Sequence, residues 1–300
     1  MSEEITRTSP FEKRIHEIDF IRGILICLVV MDHIFNFTMS FNQGWAGDAH
    51  LEPFYTIFKV TQFYWDHPVR MVVRWLCLIS FCFISGISCA FSRSNSKRAI
   101  QMVGIWALIF IISNIIRGMM LVNHWSDGVT CFRIDFNVIG VLAWSTLLYC
   151  FFENKQWYWL LVVAFIGLAL HPLSVVLSNT EFGHHTYVPF LWRPYVGADV
   201  EGSAAVIQAD HMPIFPYLGF FFLGALLSKL TYAKTRKSFF KRYNWERPIC
   251  FVGRHTLLIY GTHIIVIMGF FLLLGLFIKW WPILQCMKPL NRLLIKLLVI

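Results

Sequence analysis

Arg22 and His33 stand eleven residues apart inside one apolar run, residues 20–41, which from Asp19 reads DFIRGILICLVVMDHIFNFTMSF. Ionisable side chains at membrane depth are costly, so each is a functional suspect. Eleven residues make nearly three helical turns, which brings both side chains to one face, separated by roughly 16 Å along the axis. The pattern places a cation near one membrane mouth and a titratable base deeper in. Arg22 could hold an anionic phosphate there while an arm of pantetheine length reaches towards His33. Imidazole titrates near neutral pH and suits proton transfer; its plainer role is an interhelical hydrogen bond. Asp32 points about 100° away from His33 around the helix and ranks below it. Asp19 lies three residues before Arg22 and shares its face, where an ion pair at headgroup level is the ordinary reading.

A second polar stripe lies in GRHTLLIYGTH, residues 253–263. Thr256, Tyr260 and His263 follow at steps of four and three, which places them on one helix face. Arg254 precedes them, where it can contact phosphate or snorkel to headgroups. For His263, a structural network competes closely with catalysis. In ADHMPIFPYLGFFFLGALL, Asp210 and His211 mark the entrance of a helix restricted by Pro213 and Pro216, with Gly219 and Gly224 allowing close packing. Asp210 reads equally as a cap. Ser85, Gly86 and Ser88 of FCFISGIS read as packing residues, since no base or Gly-x-Ser-x-Gly elbow adjoins them. His50 belongs to an external stretch and is a candidate substrate contact. His184 and His185 lack well-spaced companion ligands, and no metal site is expected.

The elements that position these groups follow from composition. Of 300 residues 57% are hydrophobic and only 14% charged, which excludes an ordinary soluble domain. Recurrent apolar runs of about 20 residues predict an all-α, polytopic transmembrane helical bundle. The expected spans are 20–41, 71–91, 99–122, 136–152, 157–177, 212–232 and 253–277, with Pro172 bending the fifth. Residues 42–70 form an external flap with a short interfacial helix, and 178–211 are external. The whole chain, 1–300, reads as a single integral-membrane domain. Residues 279–300 are either an interfacial helix or an additional span. The formal charge of +9 does not signal nucleic acid. Its basic residues cluster between spans, at Arg93, Lys97 and Arg98 and again from Lys234 to Arg247, as cytoplasmic loops do; the N-terminus is then cytoplasmic as well. Eight cysteines without a Cys-x-x-Cys pair read as free thiols. The first run is too long for a signal-peptide core and carries the Arg22–His33 pair.

Residues 14–33, RIHEIDFIRG followed by the apolar run and MDH, resemble the opening of the heparan-α-glucosaminide N-acetyltransferase-like membrane family. FCFISGIS, ADHMPIFPYLGFFFLGALL and GRHTLLIYGTH resemble its later blocks in the same order. The opening block is also similar to acyltransferase family 3, whose members carry an early Arg and a deeper His at the positions of Arg22 and His33. Arg254, His263 and Asp210 match polar positions of the shared blocks. Animal heparan-modifying members place Asn at the His33 point and a functional His farther along the outward loop, where His50 is the nearest candidate. This chain lacks the long luminal N-terminal portion of those enzymes, so heparan is a poor substrate assumption.

The resemblance implies transfer of an acyl group, acetyl foremost, from cytoplasmic acetyl-CoA or another acyl-CoA to a hydroxyl or amine of a sugar or cell-envelope acceptor in a bacterial plasma membrane. Under that reading Arg22, Arg254 and Asp19 form the CoA side, and His33 is the base or nucleophile. Tyr260 or His263 serves the oxyanion, and Asp210, His211 and His50 line the acceptor side. The expected partners are the lipid bilayer, acyl-CoA and the acceptor, with oligomerisation open. The rival reading is a small-molecule transporter using the same polar path, although inverted repeats and broken helix pairs are not evident.

Overall fold

In lipid every backbone N–H and C=O has to be satisfied within its own segment, so long apolar runs become helices. The computed structural model describes residues 15–41, 52–89, 91–92, 94–122, 136–178, 212–231, 240–241 and 243–298. Among them are nine α-helices: α1 (His16–Phe41), α2 (Glu52–Asp66), α3 (Pro68–Cys89), α4 (Asn95–Val122), α5 (Val138–Phe152), α6 (Trp157–Ser178), α7 (Tyr217–Leu230), α8 (Arg247–Arg254) and α9 (Thr256–Leu298). A 3-10 turn, Asn244–Glu246, leads into α8. The chain is the expected all-α membrane protein.

Among the described residues, four helices are long and apolar enough to cross a bilayer: Pro68–Cys89, Asn95–Ile115, Trp157–Val176 and Thr256–Phe277. Two of the other expected spans are short apolar helices, α5 with 15 residues and α7 with 14. The α7 helix starts only at Tyr217 because Pro213 and Pro216 restrict the segment before it, with Phe215–Pro216 in the cis form. The α1 helix has 26 residues, and its Asp19 and Asp32 each pair with an arginine, as described below. Leu108, Phe165 and Ile265 are more than half exposed on the long helices, as lipid-facing side chains are. The α9 helix continues unbroken through 279–298, the stretch expected as an interfacial helix or further crossing.

The chain divides into two compact units, residues 1–18 with 76–241 and residues 19–75 with 242–300. In the first, α4 packs on α5, and α7 packs on both α5 and α6. Small residues set the spacing. A Cβ at Gly86 would fall on the Phe221 carbonyl oxygen, one at Gly224 on that of Phe83, and one at Gly167 2.7 Å from the Gly219 nitrogen. Phe221 and Phe222 are fully buried beside Tyr149. At one end of this unit Asn95 donates to Glu153 Oε1 at 2.8 Å and to the Cys89 carbonyl at 3.0 Å. Lys229 donates to the Glu153 and Lys155 carbonyls, closing the α5–α6 turn.

Candidate functional site

The second unit holds α1 from Asp19 onwards together with α8 and α9. Two glycines bring α1 and α8 together backbone to backbone. A Cβ at Gly23 would collide with the Ile249 carbonyl, and one at Gly253 with the Asp19 carbonyl and the Gly23 nitrogen. This approach carries Arg254, the last residue of α8, to Asp19, whose Oδ2 accepts from Arg254 Nε at 3.2 Å. Both side chains are mostly buried, which keeps the pair from the screening that weakens surface ion pairs. Phe20 and Trp245 reinforce the corner in an edge-to-face pair with ring centres 5.5 Å apart. Arg22 is half-buried on α1, one helical turn beyond Asp19.

The last block is not one continuous helix, although Thr256, Tyr260 and His263 do share one. The backbone leaves the helical region at His255, and the Thr256 hydroxyl donates to the Gly253 carbonyl at 2.6 Å. Arg254 therefore terminates α8, while Tyr260 and His263 belong to α9; the span expected from 253 begins at Thr256. On α9, Tyr260, His263 and Ile267 are buried at steps of three and four, a single inward stripe.

That stripe meets His33. The His33 and His263 rings lie edge to face with centres 4.8 Å apart, and Tyr260 lies 5.4 Å from His263. Each imidazole is tethered to its own helix, His33 Nδ1 to the Val29 carbonyl at 2.8 Å and His263 Nδ1 to the Tyr260 carbonyl at 2.7 Å. A carbonyl oxygen only accepts, so Nδ1 carries the proton in both rings, and in the neutral form the basic lone pair sits on Nε2. The basic atom of neutral His33 is consequently Nε2, the tautomer being held by its own backbone.

The polar groups expected to act together thus fall into a histidine pair, His33 with His263 beside Tyr260, and an arginine–carboxylate pair, Arg254 with Asp19. Asp210, His211 and His50 lie outside the described residues. Asp32 has a role that sequence spacing did not reveal. Its carboxylate accepts two bonds from Arg70, at 2.7 and 3.0 Å, and one from the Tyr64 hydroxyl at 3.1 Å. The available signal was a carboxylate deep in a span, which requires a counter-charge; Arg70, at the start of α3, supplies it.

Two apolar helices joined by facing histidines, with a cation–carboxylate pair tied to the same segments, define a polar site in an integral membrane protein. The family model for heparan-α-glucosaminide N-acetyltransferase, catalytic, matches residues 14–265, and the chain belongs to that family. It is an acetyltransferase-type membrane enzyme. Comparison with curated proteins and with solved structures gives no significant match.

Proposed function

We propose that the enzyme moves an acetyl group from cytoplasmic acetyl-CoA to a hydroxyl or amine of a sugar or cell-envelope acceptor, with His33 as the reacting base. The observation that carries this reading is the His33–His263 pair, with His33 Nδ1 committed to the Val29 carbonyl and Nε2 left as the basic atom. Arg22 and Arg254 receive the CoA phosphates, since guanidinium groups bind phosphate through charge-assisted, paired hydrogen bonds. The fit is one of residue type and spacing. Arg22 and His33 share a helix face about 16 Å apart along the axis, the reach of a pantetheine arm.

In the reaction His33 Nε2 takes the acceptor's O–H or N–H proton as the acceptor atom bonds to the thioester carbonyl carbon. The tetrahedral adduct collapses with rupture of the C–S bond, and the CoA thiolate recovers a proton from the His33 imidazolium. The oxyanion needs a donor. Tyr260 supplies one through its hydroxyl. His263 does so only as an imidazolium, because with Nδ1–H on the Tyr260 carbonyl the Nε2 of its neutral ring is an acceptor. The same Nε2 of His33 could instead attack the thioester and form an acyl-imidazole that the acceptor then cleaves. Purified protein given isotope-labelled acetyl-CoA and a cell-envelope extract should yield a labelled acceptor and free CoA. CoA release without labelled product, or movement of an acceptor without covalent change, would reject the reading.

A further inference from the structure

Consecutive residues diverge by about 100° around a helix, so Asp32 and His33 address different neighbours from one turn of α1. His33 meets α9 through His263. Asp32 meets the elbow between α2 and α3, where both of its oxygens are engaged by Arg70 and Oδ1 also accepts from Tyr64. Arg70 is buried, with its guanidinium carbon 3.4 Å from the centre of the Trp65 ring. Phe35, three residues beyond Asp32, packs on Tyr64 with ring centres 4.4 Å apart. Contacts at 32 and 35 bracket residue 33, so the end of α2 lies at the level of the His33 imidazole. The elbow is tied internally as well: Arg70 N donates to the His67 carbonyl at 3.0 Å, and Val69 N donates to His67 Nδ1 at 3.2 Å. Ile57, Val60 and Phe63 of α2 are exposed.

We propose that Asp32 and Arg70 are positioning residues whose ion pair latches the α2–α3 elbow beside His33, setting access to that imidazole and, through it, the binding of the acceptor. A two-bonded carboxylate–guanidinium pair fixes angle as well as distance, which a lysine ammonium does not. Stacking on Trp65 removes the freedom left to the guanidinium plane. The control of access stands apart from the acetyl-transfer reading, whereas its consequence for the acceptor rests on that reading.

Carbethoxylation by diethyl pyrocarbonate, followed by peptide mass spectrometry of the full-length chain in detergent, tests the latch. His255, exposed at the α8–α9 break, is the internal reference. Arg70→Lys and Arg70→Met should raise the modification rate of His33 several-fold with His255 unchanged. Tyr64→Phe, which leaves no charge unpaired, should raise it less. The exchange Asp32→Arg with Arg70→Asp should bring it back towards the wild-type rate. With acetyl-CoA as donor and glucosamine as acceptor probe, Arg70→Lys should raise KM for glucosamine several-fold and leave KM for acetyl-CoA unchanged. Unchanged His33 labelling in Arg70→Lys and Tyr64→Phe would overturn the latch, as would an equal rise at His255. Absence of wild-type turnover with changed His33 labelling would instead count against acetyl transfer to this probe and support the latch.

Discussion

Arg254 holds the Asp19 carboxylate at 3.2 Å, so a phosphate arriving there must share the guanidinium or displace Asp19. With Arg254 on a CoA phosphate as proposed, Arg254→Ala should remove a charge-assisted contact worth about 1.5–3 kcal/mol and lower CoA affinity roughly tenfold to a hundredfold. It also leaves Asp19 in a mostly buried position without that partner. Arg22→Ala should weaken CoA with a smaller effect on stability. Calorimetric titration of CoA into the folded variants checks both, and unchanged affinity in the two would remove the arginines from the donor side. Burial and then the Asp32 charge push the Tyr64 phenol above its ordinary 10.0. Because the folded value is raised, the stability from its hydrogen bond is fully present below about pH 10 and is lost as pH rises through the folded value. The difference in thermal stability between wild type and Tyr64→Phe should accordingly stay flat through neutral pH and shrink only in strong alkali. The inward face of α9 was legible at this scale, since a step of three residues places Tyr260 and His263 together and both are buried. The partners were not. Asp19 pairs 235 residues away with Arg254, and Asp32 pairs 38 away with Arg70; spacing along one helix does not name the helix opposite.

Gly23 and Gly253 show how an element acquires its place. Their missing side chains let α1 and α8 touch, and Arg254 reaches Asp19 because of that contact. Gly253→Ala drives a Cβ into the Asp19 carbonyl and should cost about 1–3 kcal/mol as overpacking, with loss of CoA affinity. Gly261→Ala is the matched control on α9, where an added Cβ meets nothing within 4 Å, and it should be neutral or slightly stabilising. Thermal unfolding in detergent compares them. Equal effects at the two glycines would show that helix propensity, not close approach, governs the corner. The apolar runs made the long helices readable. The break at His255 was hidden because Arg254, His255 and Thr256 carry no proline or glycine signal of their own, and the hydropathy pattern passes straight through them.

At the scale of the whole molecule, the membrane class followed from composition, and the ordered blocks from residue 14 onwards carried the family. The division into two contact units did not follow, because it cuts through α1 and α3 and depends on pairings far apart in the chain. The α3 helix has 22 residues and spans about 33 Å, which matches a bilayer core. Cysteines placed at Asp66 and Ser94 in a background without native cysteines should react with impermeant reagents from opposite sides, Ser94 from the cytoplasm. Labelling of both from one side would rule out α3 as a crossing, and Ser94 reacting from outside with Asp66 from the cytoplasm would reverse the proposed donor and acceptor faces. The most direct test of the account is acetyl transfer by His33→Ala, with turnover, CoA affinity and thermal stability measured on one preparation. Removal of a positioned base should leave a folded protein that still binds CoA but has lost about a hundredfold to ten-thousandfold in transfer. A folded His33→Ala protein that transfers acetyl at the wild-type rate would contradict the account.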